Sequence, residues 1–136
     1  MITEAMLDGL MAMRPNVPAK DYAVSTAFYE RIGFSVWSLG PGLAHVQLGD
    51  RDGQFCFLLQ DAYLKEWAEN VFLILTVNNL DSWWAHIAGL GLEAEFGIPA
   101  PQPPRMEPRG LRVAYFHDPS GVCWHVAHQD DFPQGD

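Results

Sequence analysis

The side chains able to do chemistry are few and widely spaced. His125 stands in the run Cys123-Trp124-His125-Val126-Ala127, while His45, His117 and His128 lie elsewhere, the last two in solvated settings. A transition-metal site needs several imidazole or carboxylate donors on one centre. The combination that could supply them is His45 and His125 with a carboxylate such as Glu107. No Ser-His-Asp order points to a nucleophilic triad, and Gly40-Pro41-Gly42 reads as a turn rather than a phosphate cradle. Cys56 and Cys123 sit in apolar runs without a second pair for a metal knuckle and read as buried free thiols. What the chain does offer is aromatic surface: Phe55, Phe57 and Phe72, with Ile74, can stack on a flat heteroaromatic ligand. The expected chemistry is therefore binding, with no catalytic residue, no metal and no cofactor.

The bulk composition narrows the partners. A chain of 136 residues suits one domain, residues 1–136, burying roughly 68% of its unfolded surface without staples. A net charge of −9 argues against nucleic acid and anionic membranes, which attract basic surfaces. The same charge favours capture of a cationic small molecule at an acidic rim. Free thiols, no secretory leader pattern and no bilayer-length apolar run predict a cytoplasmic protein.

The elements that must position these residues come in two similar halves. Leu43-Ala-His-Val-Gln-Leu-Gly-Asp-Arg-Asp-Gly53 lines up with Leu111-Arg-Val-Ala-Tyr-Phe-His-Asp-Pro-Ser-Gly121. Upstream, Asp21-Tyr22 matches Asn79-Leu80, and Gly33-Phe34 matches Gly91-Leu92. The extra length of the second half falls where Pro99, Pro101, Pro103, Pro104 and Pro108 crowd together, which reads as a long loop.

Each half, about 13–60 and 70–129, reads strand, helix, strand, strand, strand: an α+β fold of paired βαβββ modules. Residues 14–19 form an edge-type strand, and Asp21 starts a helix that Gly33 stops, with Val24, Ala27, Phe28, Arg31 and Ile32 at helical spacing. Strands are expected over 34–39, 43–48 and 54–60, with turns at Pro41-Gly42 and Asp52-Gly53. After a polar connection over 61–69 come a strand over 71–77, a helix over 79–88 and a short strand over 92–96. Strands over 111–116 and 122–129 close the module, residues 1–12 form a mobile or partner-docked arm, and the tail from Asp130 to Asp136 frays.

Strand alternation then assigns faces. Val17, Ala19, Leu73, Leu75, Trp124 and Val126 suit the helix layer. Arg14, Asn16, Pro18, Phe72, Ile74, Thr76, Cys123, His125 and Ala127 are left for the cleft. In the repeat register His125 corresponds to Phe57, which sends Phe55, Phe57 and Leu59 to the cleft, while His45 corresponds to Val113.

The residues also carry a resemblance. Arg14-Pro-Asn-Val-Pro-Ala-Lys-Asp21 followed by Phe28-Tyr-Glu-Arg-Ile-Gly-Phe34 resembles the opening of bleomycin resistance proteins. Asp118-Pro-Ser-Gly-Val-Cys-Trp-His125 resembles their closing hairpin. These proteins belong to the glyoxalase, bleomycin resistance and extradiol dioxygenase superfamily. The resemblance implies paired modules forming a curved mixed sheet around a cleft, and a homodimer holding a glycopeptide antibiotic in grooves between its subunits.

In enzymes of this group, the metal-holding positions carried over by motif are Arg14, Phe57, Phe72 and His125. Only His125 can ligate, since arginine stays protonated and phenylalanine has no donor. Tyr115-Phe-His-Asp-Pro-Ser-Gly121 fits part of the dioxygenase signature, though its Asp-Pro-x-Gly also favours a tight turn for backbone reasons. Arg109 stands where resistance proteins carry a tryptophan.

The expected activity is sequestration of an aromatic, possibly glycopeptide-antibiotic, ligand. The ligand-binding set is Asn16, Phe55, Phe57, Phe72, Ile74, Arg109, Tyr115 and His125. The alternative is a metal-dependent glyoxalase- or dioxygenase-like enzyme.

Overall fold

The computed structural model describes residues 1–131, so most of the tail expected to fray lies outside the described residues. An arm carries α1 (Glu4–Asp8) and leads into the first module: β1 (Asn16–Pro18), α2 (Tyr22–Ile32), β2 (Ser35–Gly40), β3 (Leu43–Gln47) and β4 (Cys56–Gln60). A short α3 (Lys65–Asn70) connects to the second: β5 (Phe72–Val77), α4 (Leu80–Ala88), α5 (Leu92–Phe96), β6 (Gln102–Met106), β7 (Arg112–His117) and β8 (Cys123–His128). The strands form two four-stranded mixed sheets of the same plan, ordered β1-β4-β3-β2 and β5-β8-β7-β6. In each, the first strand runs parallel to the last and the other pairings are antiparallel.

Local chemistry explains the helix that joins the modules. The Asp21 carboxylate accepts the Val24 amide at 3.2 Å and so caps α2. Gly33, at φ 128°, carries the chain out of it, a conformation that L side chains rarely adopt. The buried face of α2 is Ser25, Phe28, Tyr29 and Ile32, whereas Val24 is exposed.

The second module departs from expectation in two linked places. Residues 92–96 form a helix, not a strand. A five-residue apolar-polar run fits either period, and here Leu92 is fully buried while Phe96 meets Phe28 edge to face at 5.2 Å. The missing strand is β6, inside the proline-rich stretch expected to be a loop. It lies at the sheet edge, where Pro103 and Pro104 need donate nothing outward, and its register shifts between Gln102 and Arg105. Helices also appear in the arm, where Thr3 caps α1, and in the connection over 61–69.

The repeat register itself is corrected. Asn16 lies beside Leu58 as Ile74 lies beside His125, and His45 lies opposite Leu58 as Tyr115 lies opposite His125. The structural counterpart of His125 is therefore Leu58, not Phe57, and that of His45 is Tyr115, not Val113. The connection from β3 to β4 is longer than the turn from β7 to β8, so anchoring the halves on Gly53 and Gly121 shifts β3 by two residues, which keeps its faces, and β4 by one. The one-residue slip exchanges the two faces of β4. Phe57 and Leu59 accordingly enter the core, 3% and 0% exposed. Pro18, expected on the cleft side, is buried as well.

The core lies between the two sheets, around α2. Tyr29 packs on Phe57 at 4.9 Å and on Trp124 at 5.9 Å, so one side chain touches both modules. Its hydroxyl donates to Asp118 at 2.6 Å and accepts from the Trp124 indole N–H at 3.1 Å. Asp118 in turn accepts the Ser120 and Val122 amides, which makes Asp118-Pro-Ser-Gly a closed turn tied to the opposite module. With the inner faces joined, the outer face of each sheet is left open. Phe72 and Ile74 are more than half exposed on one, and Trp37 and Leu39 about half exposed on the other.

Candidate functional site

The open face of the second sheet is a groove of about 370 Å³. Ile74, His125 and Tyr115 stand in one row across β5, β8 and β7. Phe72, two residues before Ile74, lies on the His125 ring with centroids 5.1 Å apart and planes 21° from parallel. Tyr115 meets the other side of that imidazole edge-on at 4.6 Å. The loop from β6 to β7, residues 107–111, forms the far wall and contains a turn in which Gly110 N–H donates to the Glu107 carbonyl. Arg109 is exposed on that turn and lines the groove.

Glu107, expected only as a conceivable metal donor and not in the ligand-binding set, organises the polar side. Its carboxylate accepts the Tyr115 hydroxyl at 2.7 Å and the Arg105 Nε–H at 3.2 Å. The tyrosine bond first, and the arginine second, hold its carboxyl below the usual carboxylate range. Burial, reinforced by Glu107, pushes the Tyr115 phenol up. Burial also lowers His125 despite the opposing pull of Glu107. At neutral pH the groove therefore presents a neutral imidazole, a protonated phenol and an ionised carboxylate over an aromatic floor. Such a set is equipped to stack on a flat ring and to accept hydrogen bonds. The signal for Glu107 was the alternation Arg105-x-Glu107, which the surrounding prolines masked.

Five of the expected residues thus share one groove: Phe72, Ile74, Arg109, Tyr115 and His125. The other three do not join them. Phe57 is a core residue bordering a cavity of about 250 Å³ between the modules, and half-exposed Phe55 borders the same cavity from the hairpin loop. Asn16 lies on the first sheet, where its amide donates to Gln60 at 2.7 Å.

The donors of the conceivable metal site are also kept apart. His45 lines a groove on the first sheet, while His125 and Glu107 line that on the second. Among the described residues no three His, Cys, Asp or Glu side chains are placed to hold a metal ion. Leu58, the true counterpart of His125, has no donor atom either. No described helix is long and apolar enough to cross a membrane.

Two open-faced βαβββ modules sharing one core define a recognisable class. The profile of the glyoxalase/bleomycin resistance protein/dioxygenase superfamily matches residues 11–126, and the chain belongs to that superfamily. A bleomycin resistance protein of Klebsiella pneumoniae is 28% identical over 117 residues, covering 85% of this chain and 90% of that protein. The bleomycin resistance determinant encoded on the transposon Tn5 has a similar structure, with a TM-score of 0.74 at 23% identity, over 90% of this chain and all of that one. A bleomycin-binding protein complexed with bleomycin superposes with a TM-score of 0.73, also at 23% identity, over 88% of this chain and 99% of that one.

Proposed function

We propose that this protein binds and sequesters a flat aromatic small molecule of the bleomycin type, without breaking a bond in it. The observation that carries the reading is the exposed Phe72 ring stacked on half-buried His125, with Tyr115 and the Glu107 carboxylate beside them. Aromatic rings left open to water serve a ligand or an interface, and Glu107, already paired with Arg105, adds a hydrogen-bond acceptor at the groove's edge. The Klebsiella relative and the bleomycin-bound structure support the same ligand class. We also place the protein in the cytoplasm, where its two free thiols stay reduced.

The open sheet faces support a homodimer in which a second copy narrows the groove, since twofold association is the commonest closed arrangement. Arg109 sets the groove's preference for ligand charge. Replacing it with the tryptophan seen in the resistance proteins removes like-charge repulsion and restores a stacking platform.

Calorimetric titration with bleomycin, at low and moderate salt, tests this reading. The wild type binds saturably, and Arg109→Trp binds more tightly, with the gain shrinking as salt screens the charge. Absence of binding by both proteins would sink the proposal.

A further inference from the structure

The cavity of about 250 Å³ bordered by Phe57 lies at the joint of the modules rather than on an open sheet face. Its floor is three rings that meet edge to face, with centroids 5.6 to 5.9 Å apart. Phe34 and Phe57 come from the first module and Trp124 from the second, and all three are buried. Leu73 and Leu75, half-buried on β5, and Leu48, just past β3, supply the walls. Phe55 and Ile74, each about half exposed, mark the mouth.

Close-packed interiors leave few voids larger than a water molecule, so an unfilled volume of this size at a joint calls for an occupant. The lining states the occupant's chemistry. No charged side chain borders the cavity, and its polar side chains are Gln54 and Cys56. An ion entering it loses its hydration and gains no counter-charge. Water fares little better, since each buried molecule needs two to four polar partners. An apolar cavity of about 150 Å³ holds benzene, and at about 250 Å³ this one suits two fused rings. A flat ring extends the edge-to-face set that Phe34, Phe57 and Trp124 already form.

We infer that the cavity between the modules is a binding site for a compact, uncharged bicyclic arene, held against Phe34, Phe57 and Trp124 and so in contact with both modules. The site is separate from the Phe72–His125 groove, with which it shares Ile74, and does not depend on the ligand proposed there.

Indole is a suitable probe, with indole-3-acetate as its charged control, titrated into the full chain while methyl resonances are followed by NMR. Indole shifts the methyls of Leu48, Leu73 and Leu75 saturably. Indole-3-acetate binds there about tenfold or more weakly, because its carboxylate finds no partner. Leu73→Phe fills the cavity and weakens the indole affinity read at Leu48 and Leu75 by about tenfold or more, whereas Leu73→Ala enlarges it and retains binding. Leu48→Phe fills it from another wall and serves where Leu73→Phe does not fold. The methyls of Leu111 and Val113, which line the Phe72–His125 groove, report any probe held there. Shifts at Leu111 and Val113 alone would overturn the inference. So would equal indole affinity in wild type and a folded filling variant, or equal affinity for the two probes. Absence of saturable shifts at Leu48, Leu73 and Leu75 would refute the site, whether the protein is monomeric or a second copy covers the mouth.

Discussion

Phe72 and His125 lie nearly parallel with ring centroids 5.1 Å apart, and the phenylalanine is more than half exposed. Phe57, which the sequence places in the same cleft, is 3% exposed between Tyr29, Phe34 and Trp124. The two phenylalanines should therefore separate binding from stability. Phe57→Ala removes a packed core ring and should cost about 3–5 kcal/mol. Phe72→Ala removes an open one and should change stability by less than about 1 kcal/mol. Denaturant unfolding of the two variants gives the comparison.

His125 gives the groove a pH dependence of definite sign. Burial depresses its folded pKa below the ordinary 6.5. Its contribution to stability is then fully present above about 6.5 and is lost as pH falls through the depressed value. Protonation also places a cation on the groove floor. Binding of a cationic aromatic ligand should weaken on acidification, and His125→Gln should flatten that dependence. Titrations at a series of pH values below neutrality read both effects.

The bond from Tyr29 to Asp118 joins the modules, and its removal has its own signature. Burial raises the Asp118 carboxyl, while the Tyr29 hydroxyl and the backbone amides of Val122, Ser120 and Gly121 pull it back. A raised carboxyl gives its full stability contribution below the unfolded value of about 3.9 and loses it as pH rises through the folded value. Tyr29→Phe strips one donor from the buried carboxylate and leaves the Trp124 N–H without its acceptor. The variant should lose about 2–4 kcal/mol at neutral pH. Because the missing bond favours the ionised form, the deficit should shrink as the solution is acidified through the raised value. Unfolding midpoints at neutral and acidic pH test it.

The βαβββ plan was legible because local signals agreed with the global fold. Asp21 and Gly33 bracket α2, and glycines separate the strands. The groove residues on β5 and β8 were legible because those strands alternate without a bulge, so that Val126 and Trp124 point in while His125 points out.

What failed depended on register and on edges. Phe57 was misplaced because the two hairpins differ in length, and one residue of slip reverses a strand. Strand β6 was hidden because prolines contradict a strand unless it sits at the rim, which only the tertiary structure determines. Glu107 was read only as a conceivable metal donor, since its partner Tyr115 lies across the β6–β7 hairpin.

The Phe72–His125 groove is the proposed ligand site. Titration of wild type and Phe72→Ala with bleomycin, both proteins confirmed folded, tests it most directly. The wild type should bind about one ligand per chain, and the variant should bind roughly tenfold more weakly, as expected for loss of a stacking ring worth about 1–2 kcal/mol. Equal affinity in the two proteins, or no binding by the wild type, would contradict it.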